Sequence, residues 1–212
     1  MTFKTHKEFA ITFIYFATFY IYSNSTVNIN YFCLLIIMLS IGAKGALFPD
    51  VDHYWQNVKE KTVCNWILNK LIHLTGGKHR SWQTHSLDLC LISGALFMWV
   101  DYILYEKEII DYLNYQVILI ILLSFYSGWV SHLIADMLTT AGVYILILKK
   151  KNIKLVPKKL FRLEFKTGDV WEEAFYRIDH AFNVLMFFVA IAYPFIFDAK
   201  YSNWLLNILH LS

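Results

Sequence analysis

Apolar residues occur along the chain in five long runs, which are separated by segments that hold most of the polar and charged residues. A helix needs about 17–25 apolar residues to cross a bilayer, and four of the runs approach that length. The first run is shorter. It follows two lysines but precedes no small-x-small cleavage site, so we interpret it as an uncleaved first span. The predicted spans are residues 9–22, 31–48, 87–104, 115–135 and 181–197.

This pattern predicts an all-α integral membrane protein, a bundle of about five transmembrane helices. Within the polar region 49–86, an apolar period over residues 62–74 predicts a short helix that lies at the membrane interface. Residues 141–148 are apolar but too short to span, and they form either a strand or a re-entrant piece. Residues 149–180 are predicted to form a small cytoplasmic lobe. Because no linker or repeat divides the sequence, residues 1–212 are predicted to be one domain.

Composition supports the membrane assignment, and the distribution of charge orients it. The chain is 58% hydrophobic and 17% charged, with a mean hydropathy of +0.45, which excludes an ordinary soluble domain. With five spans, the N-terminus and the segments 49–86 and 149–180 carry two, five and nine basic residues, and Lys44 can snorkel towards them. The positive-inside rule therefore predicts that these three segments, including the N-terminus, are cytoplasmic.

Histidine and aspartate residues concentrate next to the predicted cytoplasmic ends of the spans. His132 and Asp136 are four residues apart, so they lie on one side of the fourth span near its end. Other candidates follow the second span, precede the third, or precede the first. Because successive spans alternate in direction, all of these residues are expected at one membrane face and at similar depth. The candidate metal ligands are His6, Asp50, Asp52, His53, His79, His85, His132 and Asp136.

Imidazole and carboxylate ligands suit zinc, manganese or iron, and a zinc ion normally takes about four ligands. Eight candidates exceed the needs of one ion, so two ions are possible. Two divalent ions can activate a water molecule and hold the oxygens of a phosphoester. No Gly-x-Ser-x-Gly motif suggests a serine nucleophile. Arg80 is the best candidate for binding a phosphate, because its planar guanidinium matches phosphate oxygens.

Each candidate ligand also has a structural explanation that the sequence leaves open. His6 can be an ordinary terminal histidine. Asp50 can cap a helix after Pro49, and Asp52 and His53 can be helix-terminal and interfacial residues. The histidines on either side of Arg80 can belong to a basic and aromatic headgroup belt. His132 can form a purely structural hydrogen bond with Asp136.

Five motifs nevertheless resemble, in order and spacing, one known family. They are Thr5-His6, Pro49-Asp-Val-Asp-His53, His79-Arg-Ser-Trp-Gln-Thr-His-Ser86, Gly128-Trp-Val-Ser-His-Leu-Ile-Ala-Asp136 and Phe165-Lys-Thr-Gly-Asp-Val-Trp-Glu172. The chain resembles the membrane-bound metal-dependent hydrolases, a bacterial inner-membrane family that includes proteins described as LexA-binding. The resemblance covers roughly residues 5–173.

The resemblance implies a multi-pass protein of the bacterial inner membrane with a His/Asp metal site and hydrolase activity. It supports the eight candidate ligands and adds Glu172 as a possible acid/base or ligand. Lys166 and Asp169 stand where an arginine and a small polar residue are expected, so the role of the last motif is open.

We therefore expect a metal-dependent hydrolase whose di-metal site acts on a phosphoester of a lipid or lipid-linked substrate. An ester or amide is the second choice of bond. The alternative is a non-catalytic membrane regulator or anchor, whose structural metal joins the helix ends and whose basic segment 149–166 recruits a protein partner. That segment suits anionic lipid headgroups as a positive-inside anchor, and this explanation outweighs nucleic-acid binding.

Overall fold

The computed structural model describes residues 2–24, 30–58, 61–139, 142–145, 151–153 and 168–197. The helices are α1 (Phe3–Asn24), α2 (Tyr31–Leu47), α3 (Val63–Leu74), α4 (Leu87–Glu106), α5 (Tyr112–Met137) and α6 (Val170–Phe197). The strands are β1 (Val143–Ile145) and β2 (Lys151–Ile153). Two 3₁₀ turns, Pro49–Asp52 and Trp55–Asn57, follow α2.

Four stretches of the described chain are long and apolar enough to cross a membrane. They are Tyr31–Asp52, Leu87–Glu106, Tyr112–Met137 and Val170–Ile196. The prediction of about five such helices is therefore corrected to about four. The helix left out is α1, which has 22 residues but holds Lys4, Lys7 and Glu8 in its first turns and is rich in tyrosine and threonine. That residues 9–22 cross the membrane stays a prediction.

Helices α2 and α5 run parallel to each other through the centre of the bundle. The Ser124 hydroxyl on α5 contacts the Met38 sulfur at 2.7 Å, and two turns further along both helices His132 contacts the carbonyl oxygen of Ala46. Parallel neighbours agree with the prediction that the second and fourth predicted spans point the same way. Their C-terminal ends, with the polar residues that follow, therefore lie at one end of the bundle.

Helix α1 brings its first turn to that same end. Its Thr5 hydroxyl donates to Glu172 at the start of α6 over 2.8 Å, and further along the Phe19 ring stacks on Tyr193 at 4.7 Å, so α1 and α6 are parallel. At the opposite end of the bundle, Tyr22 of α1 packs against Tyr31 at the start of α2. The position of His6 is thus decided by packing of α1 in the bundle.

Glycines allow the close approach of α2 and α5. A Cβ built on Gly128 would lie 1.9 Å from the carbonyl oxygen of Gly42, and one built on Gly45 would lie 2.0 Å from that of Phe125. Small residues at such contacts let helix backbones approach closely within membranes. The contact leaves no room for side chains at these positions, and it brings the α2 backbone within reach of side chains on α5.

One predicted helix begins earlier than expected, and another predicted helix is confirmed. Helix α6 begins at Val170, well before the predicted start at residue 181, because the Asp169 side chain accepts a hydrogen bond from the Glu172 amide at 2.8 Å and so caps the helix. Part of the lobe predicted over 149–180 is therefore helical. The helix predicted over residues 62–74 is confirmed as α3, with the Thr62 hydroxyl capping its start, while its place at the membrane interface stays a prediction.

The predicted all-α class also needs a small correction. Strands β1 and β2 pair antiparallel, with Val143 opposite Ile153, so the strand interpretation of residues 141–148 is correct for its central part. Residues 154–167 lie outside the described residues. Nearly all of the segment 149–166, which was predicted to bind lipid or a partner, therefore lies there too.

Candidate metal centre

Three imidazole nitrogens surround the carboxylate of Asp136. His6 Nε2 lies 3.4 Å from Oδ1, while His85 Nε2 and His132 Nε2 lie 3.5 Å and 3.6 Å from Oδ2. Each of the four residues is at most 2% exposed. Two ligand atoms bound about 2.0–2.1 Å from one tetrahedral zinc ion lie about 3.3 Å apart, close to these separations. Each of the three imidazole nitrogens therefore lies close to ligand-to-ligand spacing from an oxygen of Asp136.

The hydrogen bonds of His132 and His85 orient both rings for metal binding. His132 donates from Nδ1 to the carbonyl oxygen of Ala46 at 2.7 Å, and His85 donates from Nδ1 to Asp52 at 3.1 Å. In a neutral imidazole this leaves a lone pair on Nε2. Among the described residues, neither Nε2 atom has a hydrogen-bond partner, although both are buried. Buried polar atoms are usually satisfied, and a bound cation would satisfy both.

Asp50 joins the same cluster from the 3₁₀ turn after α2. The described residues contain two groups whose ligand atoms all lie within 4.8 Å of one another, and the groups share His132. One group is His6, His132 and Asp136; the other is Asp50, His85 and His132. His132 has one free lone pair, on Nε2, so it can bind only one ion at a time and the two groups cannot both be complete at once. The number of ions stays a prediction. Five of the eight candidate ligands are brought together in the two groups.

Asp52 lies behind the histidines. Its Oδ1 accepts from His79 Nδ1 at 3.1 Å, and its Oδ2 accepts from His85 Nδ1 at 3.1 Å, from the Thr84 hydroxyl at 2.5 Å and from the Ser81 amide at 3.2 Å. The residue is fully buried, and these bonds occupy both carboxylate oxygens. Carboxylates that hold a histidine from behind fix the ring and its tautomer. Asp52 therefore has the geometry of an orienting residue.

His53 lies at the rim of the cluster. Its ring centroid is 4.3 Å from that of His79, and its Nδ1 accepts a hydrogen bond from the Tyr54 amide at 2.8 Å. Burial, and then the nearby His79, lower the pKa of His53, which favours a neutral ring. A neutral ring that accepts at Nδ1 carries its proton on Nε2. In this orientation His53 does not offer a lone pair to the cluster, and it belongs to neither ligand group.

Arg80 and His79 form the partly exposed mouth of the site. Arg80 donates from Nη2 to Asp136 at 3.0 Å and from Nη1 to the Thr139 hydroxyl at 3.4 Å. Its side chain is 23% exposed, and that of His79 is 37% exposed. The Arg80 backbone has φ of 61°, in the left-handed region that side chains other than glycine rarely adopt. Such strain is retained only where the surrounding structure fixes the conformation.

Glu172 holds helix ends together and belongs to neither ligand group. Its Oε1 accepts from the Thr5 hydroxyl at 2.8 Å and from the Thr2 amide, and its Oε2 accepts from the Gly168 amide at 2.7 Å. It is 2% exposed. Glu172 thus joins the start of α6 to the first turn of α1. Its partner Thr5 immediately precedes His6 in the chain. Its predicted role as acid/base or ligand has no contact to support it here.

Sequence reasoning missed two contributors to the site. The Ala46 carbonyl, which orients His132, is a backbone group that no residue pattern can reveal. Thr84, whose hydroxyl bonds both Asp52 and His85, lies inside the motif 79–86 but is not among the predicted site residues. Its position beside His85 is the signal that could have identified it.

Comparison with known proteins identifies a family. A family model described as YdjM inner membrane protein matches residues 1–205. No curated protein and no solved structure matches the chain. The match confirms the inner-membrane part of the expected resemblance, in agreement with the four apolar helices, while hydrolase activity stays a prediction. The chain belongs to the family of YdjM inner membrane proteins.

Proposed function

We propose that this protein is a membrane-embedded metal-dependent hydrolase that acts on a phosphoester of a lipid or lipid-linked substrate. The observation that carries the proposal is the convergence of three imidazole Nε2 atoms on the buried Asp136 carboxylate, at 3.4 to 3.6 Å. Imidazole with carboxylate suits zinc, with manganese or iron as alternatives. His132 can bind only one ion, through Nε2, so the second ion of a pair would be held by the remaining residues of the other group.

A divalent ion held here would lower the pKa of a bound water molecule and polarise a phosphoryl oxygen. The protein's own residues orient the ligands and offer donors to the phosphate. Asp52 and the Ala46 carbonyl keep the ring nitrogens of His85 and His132 directed at the site. The Arg80 guanidinium has five N–H donors and uses two nitrogens on Asp136 and Thr139, so donors remain for a phosphate oxygen at the mouth.

The position of the site supports a lipid substrate. The ligand groups lie where α2 and α5, two of the helices able to span a membrane, end. Such a position lies within reach of lipid headgroups. The segments on this side of the spans carry most of the basic residues, which supports a cytoplasmic location for the site and for the N-terminus. Anionic headgroups are the expected surroundings.

Metal analysis of the purified protein tests the proposal. We expect stoichiometric zinc, manganese or iron in the wild-type protein, and its loss in His132→Ala and Asp136→Ala. His180→Ala, which changes a histidine outside both ligand groups, is the matched control and should retain the metal. Phosphate release from a panel of phospholipids then tests hydrolysis. Full metal retention in both site variants would contradict the proposal.

The alternative is a non-catalytic regulator or anchor whose metal joins the helix ends. Burial favours it, since His132 and Asp136 are fully inaccessible to solvent and a structural zinc site is closed. Cobalt(II) substitution distinguishes the two. A change in the cobalt absorption spectrum on adding inorganic phosphate supports an open coordination position and therefore catalysis. An unchanged spectrum in a protein that binds cobalt supports the structural role.

A further inference from the structure

A groove of about 400 Å³ lies between α2, α3 and α5, outside both ligand groups. Side chains from α2 and α5, including Ile41, Ile121 and Phe125, form its apolar walls. Its polar lining residues are Lys44, Thr62 and Asn65. The volume falls in the range of about 300–1,000 Å³ that is typical of small-ligand sites. The groove therefore combines apolar walls with one positive charge, that of Lys44.

Both long walls of the groove belong to helices able to span a membrane. A hydrophobic groove in that setting faces acyl chains rather than water. Lys44 lies in the last turn of α2 and is exposed, and it forms no ion pair or hydrogen bond with any residue in the described part of the chain. A lysine within a span extends its ammonium group towards the headgroup region while its stem covers apolar surface.

Helix α3 indicates the depth of the groove's polar end. Its apolar side chains Val63, Trp66 and Leu74 are 75%, 47% and 81% exposed, which is typical of a helix that lies in the membrane interface. The Thr62 cap at its start lines the groove. The polar end of the groove is thus at headgroup level, while its apolar walls continue along α2 and α5.

We propose that this groove binds an anionic phospholipid. One acyl chain lies against Ile41, Ile121 and Phe125, and the phosphate pairs with Lys44. An anionic headgroup is favoured because Lys44 forms no ion pair with an acidic residue of the described chain, and a zwitterionic headgroup would bring its own cation close to the ammonium group. This site is independent of the metal chemistry proposed above.

Native mass spectrometry of the full-length protein, released from detergent with added phosphatidylglycerol or phosphatidylcholine, tests the site. We expect one phosphatidylglycerol to be retained in preference to phosphatidylcholine. Lys44→Gln should lower this preference about fivefold, the effect of one basic residue at a lipid surface. Lys70→Gln on α3 is the control, because Lys70 is exposed and does not line the groove.

A second variant tests the apolar part. Ile121→Trp fills the groove while it leaves Lys44 in place, so it should reduce retention of phosphatidylglycerol if its melting temperature remains that of the wild type. Equal retention of the two lipids by the wild type, or no retention of phosphatidylglycerol, would overturn the proposal. Undiminished phosphatidylglycerol binding in both Lys44→Gln and Ile121→Trp would overturn it as well.

Discussion

His132 on α5 donates its Nδ1 proton to the backbone carbonyl oxygen of Ala46 on α2, over 2.7 Å. This bond joins the two central helices at the candidate metal centre and fixes the orientation of the ring. The carbonyl is within reach only because the glycines of α2 and α5 bring the backbones together. The geometry of the site therefore depends on the packing of these helices.

Gly128→Ala should disrupt that packing. The new Cβ would lie 1.9 Å from the carbonyl oxygen of Gly42 and 2.7 Å from the Ala46 amide nitrogen, which are backbone atoms that cannot move aside alone. We expect the free energy of unfolding in detergent to fall by about 1–3 kcal/mol, with weaker metal binding. Gly94→Ala is the control, because the three atoms nearest to its new Cβ all belong to the Tyr126 side chain and lie 3.1 Å or more away. Equal effects of the two substitutions would contradict this explanation.

Asp52→Asn should weaken metal binding without removing a ligand of either group. The carboxylate holds His79 and His85 by their Nδ1 protons, and an amide can accept at only one of its two positions. Loss of such an orienting contact typically lowers metal affinity about 10–100-fold. Zinc affinity can be measured by competition with a chelator. Asp111→Asn, at the N-terminal cap of α5, is the matched control and should leave zinc affinity unchanged.

Glu172→Gln separates a structural role from an acid/base role. If Glu172 positions the first turn of α1, the variant lowers metal affinity and activity together. An amide can accept at only one of the two former oxygen positions, so the bond to the Gly168 amide or to the Thr2 amide is lost and His6 is displaced. If it acts as acid/base, activity falls while metal affinity stays at the wild-type value. We expect the first result. Glu173→Gln changes the exposed neighbour and should alter neither quantity.

Arg80→Gln should weaken inhibition by phosphate while it preserves or raises the affinity for metal. The guanidinium competes with a metal for Asp136, which it contacts at 3.0 Å, so its removal is expected to preserve or raise metal affinity. It also removes the donors proposed to hold a phosphate, so inhibition by inorganic phosphate should weaken about tenfold, as for loss of a charge-assisted hydrogen bond. Lys78→Gln, an exposed neighbour, is the control. A loss of bound metal in Arg80→Gln would show that Arg80 supports the ligands instead.

The amino-acid sequence determined most of the helices and the side of the bundle on which the polar residues gather. Apolar runs of spanning length and the local period of α3 are properties of neighbouring residues, so they can be read without tertiary contacts. Alternation of the spans then placed the candidate ligands at one end. The start of α6 was missed because a cap at Asp169 extends that helix through polar residues.

Only the tertiary structure showed which of the eight candidate histidines and aspartates lie together and which lie behind or beside them. It brought His6, Asp50, His85, His132 and Asp136 into two ligand groups. It placed Asp52 behind the rings, left His53 at the rim and assigned the contacts of Glu172 to helix ends. Residue types cannot separate these roles, because each depends on differences of an ångström between segments far apart in sequence. One decisive partner, the Ala46 carbonyl, is a backbone atom that every residue possesses.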